Sequence, residues 1–188
     1  MRVRSNTNTI LQVAIHAFVD ESVRSKYILC AATVPAASLD DVRRLARDLC
    51  LPGQRRWHFN SESDRRRRLI LDTLVRRRDI RVLLYEGRGR RPRVRAECLI
   101  SLVTDLIDQG ASRLVIESQD GQDRIDRQVL AEALRKASTD LGYCHSRPHQ
   151  EPGLWLPDAF AWAYGTAGHW RRRVAPSIDR IRGLGDLA

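Results

Sequence analysis

Two strand-like segments lie close together near the start of the chain, and this pair restricts the fold more than any other feature. Residues 11–20 alternate and branch, so that Val13, Ile15, Ala17 and Val19 fall on one face of an extended backbone. The segment KYILCAATVP, residues 26–35, follows after a short Arg/Ser connection. That spacing predicts an antiparallel hairpin, and Pro35, which has no N–H to donate to a ladder, ends its second strand. The run YILCAATVPAA is too short to cross a bilayer and carries a proline, so no membrane span is expected. Basic residues follow Met1, but Gln12 and His16 interrupt the next apolar stretch, which argues against a signal peptide.

Beyond the hairpin, helical and extended patterns alternate. SLDDVRRLARDL reads as a helix with Ser38 as N-cap, Asp40 and Asp41 in its first turn, and a stripe of Leu39, Val42, Leu45, Ala46 and Leu49. Pro52-Gly53 stops it. RRWHF is a short extended piece. A second helix is expected over Ser61–Arg78, a strand over 80–86, a helix over about 94–109, a strand over 112–118 and an amphipathic helix over about 123–141. GYCHSRPHQEPG reads as a short strand plus loop, and a last helix runs from Pro157 through Val174. This order predicts a mixed-sheet α/β domain with helices on both faces. Without repeats or a linker, residues 1–176 form one domain, with 177–188 as a C-terminal tail. The four cysteines, Cys30, Cys50, Cys98 and Cys144, are far apart and make no CxxC pair, as reduced thiols of a cytoplasmic protein would be.

The stretch HAFVDES places Asp20 and Glu21 at the end of the first strand. Glu117 ends the strand RLVIE, and Asp158 stands in the first turn of the last long helix. Strand ends of an α/β sheet converge on one edge, where such folds build their sites. Carboxylates brought together there stay ionised only beside a cation, and an acid-only donor set suits Mg²⁺ or Mn²⁺. Each acid also has a structural reading: a turn for Asp20 and Glu21, an arginine pair for Glu117, a helix-dipole contact for Asp158. Spacing alone leaves both readings open.

FVDES, the strand ending VIESQD, and LWLPDAFAWAY together resemble the domain-of-unknown-function 3800 family, within the ribonuclease H-like superfamily. The resemblance covers about residues 14–170. Val23 stands where that family usually has Gly, and Leu156-Pro157 replaces its usual residues before the helix acid. The resemblance implies a five-stranded mixed sheet whose first three strands are antiparallel, and two-metal phosphodiester cleavage. It makes Asp20, Glu117 and Asp158 the catalytic and metal-binding acids, with Glu21 as a weaker fourth ligand. Neighbouring strand residues face opposite sides, which leaves Glu21 a different role.

The net charge is +10, and only Lys26 and Lys136 are lysines. Arginine grips phosphate through two parallel hydrogen bonds, so the balance fits a nucleic-acid partner, DNA or RNA. Arg88, Arg90, Arg91, Arg93 and Arg95 fall in the glycine-rich stretch GRGRRPRVR, read as a mobile connection suited to wrapping a phosphate backbone. His58 is read as a phosphate contact or proton-transfer group, or as a packed histidine. His145 and His149, close upstream of Asp158, are placed at the border of the acid cluster. Zinc on Cys144, His145 and His149 is disfavoured because Pro148 breaks the HxxxH spacing. Trp155, Trp162 and Trp170 read as core. The leading expectation is therefore a metal-dependent nuclease. Its rivals are an inactive nucleic-acid-binding module and a regulatory protein partner, with homo-oligomerisation left open.

Overall fold

The computed structural model describes residues 14–187; the part of the expected first strand before Ala14, and the ends of the expected domain and tail, lie outside them. The strands are β1 (Ile15–Val23), β2 (Tyr27–Pro35), β3 (Arg81–Gly89), β4 (Ala111–Glu117), β5 (Gly142–Ser146) and β6 (Ile178–Leu187). They form one sheet in the order β5-β4-β1-β2-β3-β6. β1, β2 and β3 pair antiparallel, while β4, β5 and β6 join in parallel. The helices are α1 (Leu39–Asp48), α2 (Asp64–Val75), α3 (Arg91–Asp108), α4 (Asp123–Ala137), α5 (Trp155–Thr166) and α6 (Gly168–Val174).

β2 is buried along nearly its whole length because both sheet faces are covered. On one face Phe18, Ile28, Cys30, Ala32 and Val34 meet α1, α2, α5 and α6. On the other, Ala17, Val19, Leu29 and Ala31 meet the stripe of α3, Val94, Cys98, Leu99 and Leu102, together with Leu130 of α4. The period-2 alternation of β1 thus sorts its side chains between two separate cores.

The structure corrects the expected elements at several points. The sheet has six strands rather than five, because residues 178–187, expected as a tail, pair with β3. β6, IDRIRGLGDL, places its apolar residues at every third position, which is not the alternation of a strand. Besides its ladder with β3 and the packing of Leu184 and Leu187, it is held by Arg180 and Arg182, which reach the buried Asp105 of α3, whose other oxygen accepts the Tyr85 hydroxyl at 2.6 Å. GRGRRPRVR is not a mobile connection: Gly87, Arg88 and Gly89 belong to β3, and α3 begins at Arg91 with Pro92 in its first turn. The second helix starts at Asp64, capped by Ser63, whose Oγ accepts the Arg66 N–H, while Ser61 ends a short 3₁₀ turn. Ser38 makes no side-chain cap.

The last helix is two helices. Ala167, with φ 66° and ψ −161°, breaks it into α5 and α6. A non-glycine residue there is strained by about 1–3 kcal/mol. Set against the greater unfolded-state freedom of glycine, Ala167→Gly is expected to raise stability by about 1 kcal/mol, seen as a melting temperature higher by about 2–4 °C. An unchanged or lower melting temperature would show that the break is unstrained.

Candidate active site

The last paired residues of the parallel neighbours β1 and β4 are Val19 and Ile116. One residue further on, where this pairing stops, stand Glu117, the last residue of β4, and Asp20, which lies inside β1 because that strand, expected to end here, continues along β2 to Val23. Both lie on the face shared by Phe18 and Val115, where α5 packs. Asp158, in the first turn of α5, completes the group. Its Oδ2 accepts the Phe59 N–H at 3.0 Å and meets His58 Nδ1 at 3.1 Å. The segment carrying His58 is anchored by Trp57, which is buried, donates Nε1–H to the Ala46 carbonyl at 3.0 Å and packs edge-on against Trp155. Gly153 closes the wall behind the site. A Cβ there would stand 2.4 Å from the Phe18 ring, so only glycine lets this turn lie so close to β1.

Asp20, Glu117, Asp158 and His58 line one pocket of about 370 Å³, with Arg56 and Arg91 at its rim. Burial, then the charges of Glu117 and Asp158, hold the Asp20 carboxyl well above the usual carboxylate range; only the Glu21 N–H, 2.7 Å from Asp20 Oδ1, acts strongly the other way. Burial also raises Glu117, assisted by Asp158 and opposed by its hydrogen-bonding contact with Asp20 and by Arg56 and His58. The hydrogen bond to Asp158 raises His58, favouring the imidazolium. The charges of Glu117 and Asp158 thus favour the neutral form of Asp20, and that of Asp158 the neutral form of Glu117, as expected where a counter-charge is missing. Among the described residues no group of three or more His, Cys, Asp or Glu side chains is already gathered tightly enough to hold a metal ion. The donor set itself, hard carboxylate oxygens in a mutually repelling group, fits a hard divalent cation.

The remaining sequence candidates lie elsewhere. Glu21 points to the opposite sheet face, its side chain 6% exposed and bound by Arg95, Arg91 and the Tyr27 hydroxyl. Although burial pushes its carboxyl up, Arg95, Tyr27 and Arg91 hold it below the usual range. Glu21 also borders the acid pocket, but its carboxylate is committed to these partners. His145 does not border the acids. On β5 it meets Asp126 of α4 at 3.3 Å, inside the same network as Arg95. His149 is exposed in the turn after β5. Cys144 packs against the α5-side core while its strand neighbour Tyr143 packs against the α3-side core, so Cys144 and His145 face opposite sides and cannot share an ion. Arg88, Arg90, Arg91 and Arg93 are exposed, but only Arg91 lines the pocket. The tryptophans form the edge-to-face cluster Trp57–Trp155 and Phe59–Trp162–Trp170. Arg56, two residues before His58 in the same short segment, was missed as a rim residue; the basic pair ahead of that histidine was the available signal.

No protein-family model and no curated protein matches the chain. Fifteen chains of solved structures do. One is in the PCNA:RNase HII complex from Archaeoglobus fulgidus, at 14% identity over 85% of this chain and 74% of that chain, with a TM-score of 0.55. At that identity the likeness establishes the fold: a mixed α/β sheet of ribonuclease H-like architecture flanked by helices.

Proposed function

We propose that the protein is a metal-dependent nuclease, or a nuclease-like phosphodiesterase, in which Asp20, Glu117 and Asp158 hold Mg²⁺ or Mn²⁺. The observation that carries this reading is the meeting of three acids from β1, β4 and α5 in one pocket, where Asp20 and Glu117 are held partly against ionisation. The resemblance of FVDES, VIESQD and LWLPDAFAWAY to the domain-of-unknown-function 3800 family, and the ribonuclease H-like fold, support the same choice of acids.

A bound cation would supply charge stabilisation and an activated water for phosphodiester hydrolysis. The chain's own residues prepare the rest. The Phe59 N–H and His58 orient Asp158 before any ligand arrives. To hold a cation, Asp20 and Glu117 would have to give up their protons, so metal binding is expected to strengthen as pH rises through their raised titration range. Arg56 and Arg91 flank the acids and offer guanidinium groups to the phosphate. Trp155 and Leu154 wall off one side from water.

The test is a panel of single- and double-stranded DNA, RNA and hybrid oligonucleotides incubated with Mg²⁺, Mn²⁺ or EDTA, run beside Asp20→Asn. Cleavage that needs the metal and disappears in the variant is the expected result. Binding without cleavage in any metal would leave an inactive nucleic-acid-binding module. Cleavage retained by Asp20→Asn would remove this site from the reaction.

A further inference from the structure

A second trough, of about 420 Å³, opens directly from the acid pocket and shares Glu21, Val23, His58 and Asp158 with it. Ser22, Arg24, Asn60 and Trp162 complete its lining. Its donors are arranged in advance. Ser22 lies two residues beyond Asp20 on β1 and so shares its face. Indole N–H can only donate, and Trp162 Nε1 gives its hydrogen to Asn60 Oδ1 at 2.9 Å, which leaves the Asn60 NH₂ as the donor available to a ligand. The Arg24 guanidinium stands 5.3 Å from the centre of the Trp162 ring, held there by cation–π attraction. Arg24 makes no ion pair among the described residues. Trp162 is itself fixed by edge contacts with Phe59 and Trp170 and by Arg67 at 4.4 Å. The Arg24 stem passes close to Gly165 of α5, where a Cβ would stand in contact with its Cδ at 3.4 Å. Both carboxylates of the trough are already engaged, Glu21 by Arg91 and Arg95, Asp158 by His58 and the Phe59 N–H.

We infer that Ser22, Arg24 and Asn60 form a phosphate subsite that holds the backbone phosphate flanking the one at the acid pocket. A hydroxyl, an amide NH₂ and an arginine fork without a carboxylate partner are a donor set for an oxyanion. Continuity with the acid pocket makes that oxyanion part of the same strand. The inference rests on the proposed nuclease reading for its substrate class, but it can be tested apart from cleavage.

The experiment measures binding of a fluorescein-labelled 20-nucleotide single strand and its duplex by anisotropy, from low to moderate salt, in EDTA. The proteins are wild type, Arg24→Gln, Arg24→Lys and, as a control on the opposite sheet face, Arg135→Gln. One lost phosphate contact lowers the slope of log K against log salt by about 0.7 on a single strand and about 0.9 on a duplex. Arg24→Gln is expected to show that drop with an unchanged melting temperature, Arg24→Lys to restore most of the slope, and Arg135→Gln to keep it. An Arg24→Gln slope equal to wild type, or a slope lowered equally by Arg135→Gln, overturns the subsite. If the slope responds as expected but the wild type cleaves nothing in Mg²⁺ or Mn²⁺, the nuclease reading fails and the subsite stands. Absence of any binding overturns both.

Discussion

Asp20→Asn is expected to abolish Mn²⁺-dependent cleavage and, in the same protein, to raise the melting temperature of the metal-free form. The two effects have one cause. Asp20 lies on β1 against Glu117 and Asp158, and burial with those two charges lifts its carboxyl well above the usual range. A group whose titration is raised on folding binds more protons in the native than in the unfolded chain. Its stability contribution is therefore complete below the unfolded carboxylate range, near pH 3.8 for an aspartate, and is lost as pH rises through the raised native value. At neutral pH the metal-free protein carries that strain, and the neutral, nearly isosteric amide relieves it. Relieving a site strained for function commonly returns about 0.5–2 kcal/mol, or about 1–8 °C for a domain of this size. Millimolar Mn²⁺ should reverse the order, because ligand binding stabilises only the chain that can bind it. Cleavage should fall by about 10²–10³-fold or more, the scale for losing one group that stabilises developing charge. Calorimetry at pH 5 and pH 8, with EDTA or Mn²⁺, reads all of this. A variant that melts lower than wild type in EDTA at pH 8, or a wild type indifferent to Mn²⁺, would show that the three acids do not form a strained cation site.

Most of the acid site was legible because it rests on local pattern. The alternation of β1 predicts that Asp20 and Glu21 part to opposite faces, and they do: Asp20 joins the α5 side and Glu21 the α3 side. Asp20 of β1 and Glu117 of β4 are neighbours because the two strands pair in parallel, a fact of topology that spacing could not show. What the sequence hid depends on polar tertiary contacts, which have no period. β6 spaces its apolar residues by threes, not by twos, and joins the sheet through its ladder with β3 and through Arg180 and Arg182 on the buried Asp105. His145 and Asp126, 19 residues apart, meet across β5 and α4, so nearness to Asp158 in sequence misled the placement of that histidine. GRGRRPRVR looked mobile because glycine and arginine are frequent in connections. Gly87 is there for another reason: a Cβ would stand 2.9 Å from Val94 Cγ1, so the glycine lets α3 pack tightly on β3.

Arg95→Met is expected to lower stability by about 3–5 kcal/mol, the cost of leaving buried charges without their partner. The melting temperature would fall by about 6–20 °C. Arg95 is 3% exposed and joins two carboxylates that no other single residue links. Its Nε and Nη2 donate to Asp126 at 2.9 and 2.7 Å, and its Nη1 reaches Glu21 and the Tyr27 hydroxyl. Burial pushes both acids up, but Arg95 and their other partners win and hold Asp126 and Glu21 below the ordinary carboxylate range. Depressed acids contribute stability that is present above their unfolded values, 4.5 for glutamate and 3.8 for aspartate, and lost as pH falls through the native ones. Wild type should thus weaken as pH drops below about 4.5, and Arg95→Met should lose much of that acid dependence along with its stability. Adding Glu21→Gln and Asp126→Asn to Arg95→Met should recover part of the loss, since the orphaned charges rather than the missing contacts account for most of it. The consequence reaches the active pocket, because Glu21 also binds Arg91 at its rim. Glu21→Gln alone should then weaken nucleic-acid binding through a less fixed Arg91 while leaving the Mn²⁺-dependent rise in melting temperature intact. Loss of that rise in Glu21→Gln would instead place the Glu21 carboxylate among the cation's ligands.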